Sequence, residues 1–147
     1  MKKPLHFVVF LTLVMAMCVS SVAAVTNGAR SSLYLDCYRA WLAPQSGGKI
    51  AVAVDVQAVT TMDEVGASVI EIFESDDGGK TWDSVRMYFK SLNPEMVVKR
   101  DYLYYDDPIV YQGTIGKQYF ACVTAYAADH TGYDEKEYNT AIVTARA

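Results

Sequence analysis

The chain has 147 residues, 52% of them hydrophobic, and a net charge of −4 from 13 Lys and Arg against 17 Asp and Glu. That length and apolar content suit one folded domain with a real core and exclude a disordered chain. The cations are scattered, Lys99-Arg100 being the densest pair, so no basic stripe tracks a phosphate backbone and nucleic acid is not expected as a partner.

At the N-terminus Lys2 and Lys3 precede an apolar run from Leu5 to Val19 and then the small residues Ser20-Ser21-Val22-Ala23-Ala24. This pattern predicts a secretory signal peptide over 1–24, cleaved after Ala24, with Ala23 as the alternative. Cys18 follows Met17 rather than a small residue, so lipidation is not expected. No later run approaches the ~20 apolar residues of a span, and the expectation is a secreted or extracytoplasmic protein with no membrane span after cleavage. Residues 25–31 read as a flexible leader and 32–147 as a single domain. Two cysteines remain after cleavage, Cys37 and Cys122, and an oxidising compartment leads us to expect a disulfide between them.

Leu33, Leu35 and Cys37 alternate with Tyr34, Asp36 and Tyr38, predicting a first strand that ends in Trp41-Leu42-Ala43-Pro44 before the turn Gln45 to Gly48. From Lys49 to Thr60, Ile50, Val52, Val54 and Val56 share one face, with Ala51, Ala53, Asp55 and Gln57 on the other. A turn at Thr61 to Glu64 is expected next. Val69 to Phe89 then reads as a β-hairpin, with Ile70 and Ile72 leading in, Val85, Met87 and Phe89 leading out, and Ser75-Asp76-Asp77-Gly78-Gly79-Lys80 between them. Ser75 to Trp82 resembles the Asp-box, S-x-D-x-G-x-T-W, at its five specified positions: Ser75, Asp77, Gly79, Thr81 and Trp82. The resemblance implies a structural turn closed by Ser and Asp side chains over a tucked Trp, not catalysis. A β-propeller would need several such blades, and the sequence has one box.

Pro94 interrupts the chain, Met96 to Tyr105 resumes a strand, and Asp106-Asp107-Pro108 reads as a turn. Ile109 to Tyr111, a long strand from Lys117 to Ala128, a polar loop from Asp129 to Glu137 and a last strand from Tyr138 to Thr144 complete the expectation. No stretch carries a sustained helical apolar stripe. Seven or eight short strands, with turns about every 8–12 residues, predict an all-β antiparallel sandwich. Ile109 to Ala145 resembles fibronectin type III and immunoglobulin-like domains. In the first family's register Tyr119 is the corner tyrosine, Ala121, Val123 and Ala125 point inward, and Cys122 points outward. The immunoglobulin register, offset by one, uses Phe120 and turns Cys122 into the core. The third-strand Trp that the fibronectin pattern expects is absent from Val69 to Ser75.

Catalytic patterns are sparse. His130 is the only histidine after residue 24 and falls in the polar loop, and there is no G-x-S-x-G elbow and no zinc-ligand spacing. No metal or other cofactor is expected. The acidic pairs lie in predicted turns, where they bond backbone groups and confer solubility. Tyr102, Tyr104 and Tyr105 are the candidate ligand-binding residues, with Tyr102 and Tyr104 expected to form an exposed pair opposite an inward Leu103. The functional expectation is a non-catalytic binding or surface-associated module for a protein or carbohydrate ligand. The alternatives are a carbohydrate-binding module using exposed tyrosines and a small secreted hydrolase.

Overall fold

Among the described residues, period-two apolar stretches joined by Gly- and Asp-rich turns give seven strands: β1 (Leu35–Pro44), β2 (Lys49–Ser75), β3 (Asp83–Phe89), β4 (Val97–Gln112), β5 (Gln118–Asp129), β6 (Gly132–Asn139) and β7 (Val143–Thr144). The computed structural model describes residues 32–147; the expected signal peptide and leader lie outside the described residues. All strand pairs are antiparallel. The result is a curled antiparallel sheet, compatible with a β-sandwich.

β2 is the organising strand. On one side it pairs with β1 up to Ala58 and with β5 from Glu64, and on the other with β4 up to Gly66 and with β3 from Val69. Its apolar face is accordingly covered end to end: Ile50, Val52, Val54, Val56, Val65, Ile70 and Ile72 are all buried. The expected turn at Thr61 to Glu64 does not form. Gln57 pairs with Leu103 and Met62 with Asp101, so Ala58 to Thr61 stand opposite Tyr102 alone, and the break is absorbed as a bulge that bends the strand. Beyond it, the curl brings β1 to β6, where Tyr38 meets Tyr138 edge-on at 6.4 Å.

Two other expected breaks resolve differently. β4 runs through Asp106-Asp107-Pro108, with a register shift between Ile109 and Asp106. The expected loop Asp129 to Glu137 is mostly β6, and the expected last strand from Tyr138 shrinks to the short β7. The reason lies in edge chemistry. Among the described residues β6 pairs only with β5, and the charged residues Asp134 to Glu137 that keep such an edge from recruiting another strand also make its sequence look like a loop.

The disulfide expectation is corrected. A register irregularity between Leu35 and Cys37 switches the phase of β1, so Ala40 and Leu42 take the core face while Cys37 is exposed. On β5, Tyr119, Ala121, Val123, Ala125 and Ala127 are buried, which places Cys122 on the opposite face, in register with Glu71 and Asn139. Both thiols are free. Burial, reinforced by Glu137 and Glu71, pushes the Cys122 thiol up and keeps it protonated.

Candidate functional site

The bend of β4 carries a concavity beside the expected tyrosines. Arg100 adopts φ 58°, a left-handed conformation that breaks the strand's straight path. Asp101 restarts it by accepting from the Tyr102 and Leu103 backbone N–H groups at 2.7 and 3.2 Å. The Tyr104 hydroxyl then spans the corner, donating to the Glu95 carbonyl at 2.6 Å. Inside the bend lies a notch of about 360 Å³ lined by Glu95, Val97, Val98, Leu103, Tyr104, Tyr105 and Asp106.

These positions revise the tyrosine expectation. Tyr104 is only 5% exposed, because it pairs with the inward Val56, and Leu103 faces outward at 42%. Burial, with Asp106, Glu95 and Asp107 nearby, pushes the Tyr104 phenol well above the ordinary range, so it remains a donor. Tyr105, 66% exposed, lines the notch and leans on Trp41 at 6.0 Å with planes tilted by 46°. Tyr102 is 51% exposed and is not among the notch residues. Tyr104 and Tyr105 thus share the site; the exposed Tyr102–Tyr104 pair does not exist.

Trp41 and Arg39 escape a reading by composition. The Arg39 guanidinium lies over the Trp41 ring at 5.6 Å and binds Asp55 through Nε at 2.7 Å. Their outward direction follows only from the bulge before Cys37, which gives Ala40 and Leu42 the core phase on either side of Trp41. β4 pairs only with β2, which leaves its other edge without a strand partner among the described residues. His130 is exposed in the turn between β5 and β6. Among the described residues no group of three or more His, Cys, Asp or Glu side chains could hold a metal ion.

The Ser75 to Trp82 turn is built separately from this site. The Asp77 carboxylate accepts from the Lys80 and Thr81 backbone N–H groups at 2.9 and 3.0 Å, from the Thr81 hydroxyl at 2.7 Å and from the Ser75 hydroxyl at 2.8 Å. Ser75 Oγ in turn accepts from Gly79 N–H at 2.9 Å, and Gly79 takes φ 88°, which an L side chain rarely adopts. Trp82 is half-buried, set edge-on to Phe120 at 4.8 Å, and Phe120 stacks on Phe73 at 4.7 Å. These bonds, first those from Thr81 and then that from Ser75, hold the Asp77 carboxyl far below the ordinary aspartate value of 3.8. Its contribution to stability is therefore full above that value and is lost as pH falls toward the folded-state pKa. Asp77→Ala should lower the melting temperature at pH 7, and the gap from wild type should narrow as pH drops below 3.8. A gap that stays constant down to pH 2 would show that ionisation is irrelevant to the turn. Trp82→Ala should cost about 2 kcal/mol, less than a fully buried Trp.

Comparison with known protein families, with curated proteins and with solved structures gives no match for this chain. The fold and the notch by themselves define a class: an antiparallel all-β domain with an acidic, apolar recess at an open strand edge.

Proposed function

We propose that this chain is a secreted, non-catalytic binding module of β-sandwich form, resembling fibronectin type III and immunoglobulin-like domains, that takes an extended, cationic and apolar segment of a protein partner at the β4 notch. The division of β2 between two sets of partners, and its bend between them, supports a two-sheet reading. The Tyr119 hydroxyl supports it too, because it accepts from Thr114 N–H at 2.8 Å, a bond from five residues upstream of the kind a tyrosine corner makes.

The observation that carries the binding reading is the notch itself. Valines and Leu103 offer apolar contact, Glu95 and Asp106 supply negative charge, and Tyr105, Trp41 and Arg39 beside it belong to the residue types that dominate protein interfaces. The open β4 edge can add backbone hydrogen bonds from an extended chain. A carbohydrate platform fits less well. Sugar stacking favours a co-planar aromatic row, whereas Trp41 and Tyr105 are tilted by 46° and Tyr104 is buried.

Selection from a phage-displayed library of random peptides tests the proposal. Enriched peptides should alternate basic with apolar residues, and a synthetic copy should lose about tenfold or more in affinity for Leu103→Asp and for Glu95→Lys. Both changes are at exposed positions, so the fold should persist. A selection without enrichment, or binders indifferent to both substitutions, would remove the notch as a partner site.

A further inference from the structure

The same bend has a second recess, and its chemistry is different. A cavity of about 360 Å³ is lined by Asp63, Glu64, Lys99, Arg100, Tyr126 and Ala128. The lining carries two acids and two bases, but one of the acids is already engaged by a cation from outside the cavity. Lys99 pairs across the strands with Glu64, the natural partner for an ion pair, yet Glu64 is bound instead by the Lys90 ammonium. Lys90 reaches it from over the Tyr126 ring, with its nitrogen 4.2 Å from the centroid. Lys90 and Glu64 thereby neutralise each other. Lys99 and Arg100 make no ion pair among the described residues, and Asp63 is the single acid left against these two cations. An excess of positive charge is thus concentrated in one cavity of a chain whose net charge is −4.

The backbone at this point is also held in an unfavourable shape. Arg100 is the one non-glycine with positive φ among the described residues, although glycine would occupy that conformation without a Cβ penalty. The neighbouring bulge sets Ala58 to Thr61 opposite Tyr102 alone. Bulges re-aim side chains, and strained backbone is retained where a side chain is needed at that position. An arginine kept where glycine fits better, beside an unpaired lysine and inside a cavity, has a chemical reading: a planar fork and a point charge that together receive an oxyanion.

We infer that this cavity is an anion site, with Arg100 and Lys99 binding a carboxylate, phosphate or sulfate group of a small ligand. It is independent of the notch on β4. Asp63 opposes the ligand's charge and limits its affinity.

NMR titration of the full chain at low ionic strength tests this, with inorganic phosphate, inorganic sulfate and glucuronate as probes and glucose as the neutral control. At least one anion should give saturable shifts at Lys99, Arg100 and Tyr126, and which anion saturates decides between an oxyacid and a carboxylate ligand. Arg100→Gly should weaken that anion at least tenfold with a melting temperature no lower than wild type, since the backbone strain is relieved. Lys99→Gln should weaken it severalfold, Asp63→Asn should tighten it, and Tyr105→Ala, in the notch, should leave it unchanged. Failure of every anion to saturate, equal response to glucose, or undiminished affinity in Arg100→Gly would overturn the inference.

Discussion

Gly66→Ala should leave little or no folded protein. Gly66 is buried at φ 150° where β2 lies between two neighbours, Val97 on β4 and Tyr126 on β5. An added Cβ would stand 2.2 Å from the Met96 carbonyl oxygen and 2.8 Å from Val97 Cα. Both obstacles are backbone, so no side-chain rotation relieves them. The chain would have to separate β2 from β4 at the point where their pairing begins. We expect a loss above about 4 kcal/mol, a large part of the roughly 5–15 kcal/mol that holds a domain folded. In a thermal melt this corresponds to a fall of about 15 °C or more, or to no cooperative transition. Gly47→Ala is the control. Gly47 also has positive φ, at 71°, but nothing lies within 4 Å of its added Cβ, so only the backbone preference of about 1 kcal/mol is lost. A Gly66→Ala protein melting as the Gly47→Ala control does would refute the packing argument.

Tyr119→Ala should be the next most damaging change, costing about 3–5 kcal/mol. The ring is fully buried, lies 5.9 Å from Tyr111, and packs so closely on Gly113 that a Cβ there would sit 3.0 Å from it. Its hydroxyl serves two groups: it accepts from Thr114 N–H and donates to the Glu74 carboxylate, which Lys117 also binds. Tyr119→Phe keeps the ring and removes only that link, for about 1.5–3 kcal/mol. The pH dependence identifies the partner. The Lys117 bond, and then the Tyr119 bond, hold Glu74 below its ordinary value of 4.5. The depressed carboxyl stabilises the fold above that value and loses its contribution as pH falls through the folded-state pKa. The melting-temperature gap between wild type and Tyr119→Phe should therefore be wider at pH 7 than at pH 3. Equal gaps would mean that the hydroxyl acts through Thr114 alone.

Much of this architecture was legible in residue order because local chemistry enforced it. Ile50, Val52, Val54 and Val56 share one face and occupy the core, and Ala51 and Ala53 on the other face are buried as well. Ser75, Asp77, Gly79 and Thr81 close a turn within a few residues of one another, and such short-range bonds need no distant partner to be recognised. The breaks were harder to read. Thr61 to Glu64 and Asp106 to Pro108 carry turn-forming residues, yet both lie within long strands, because pairing with neighbours absorbs the irregularity as bulges.

Those bulges decided the candidate sites. Period two fixes only that alternate residues face opposite ways, so one irregularity inverts every later assignment. The shift before Cys37 carried its thiol to the exposed face, and the bend at Arg100 and Asp101 turned Tyr104 inward and Leu103 outward. An all-β chain, its principal core strand and its bonded turn can be read from residue order alone, since these follow from alternation and contacts close along the chain. Which tyrosines are exposed, that the two cysteines stay apart, and that residues from Glu95 to Asp106 fold back around one notch emerge only once the strands are packed. Those outcomes depend on where β2 and β4 slip past each other, and that slip is fixed by packing between segments about forty residues apart.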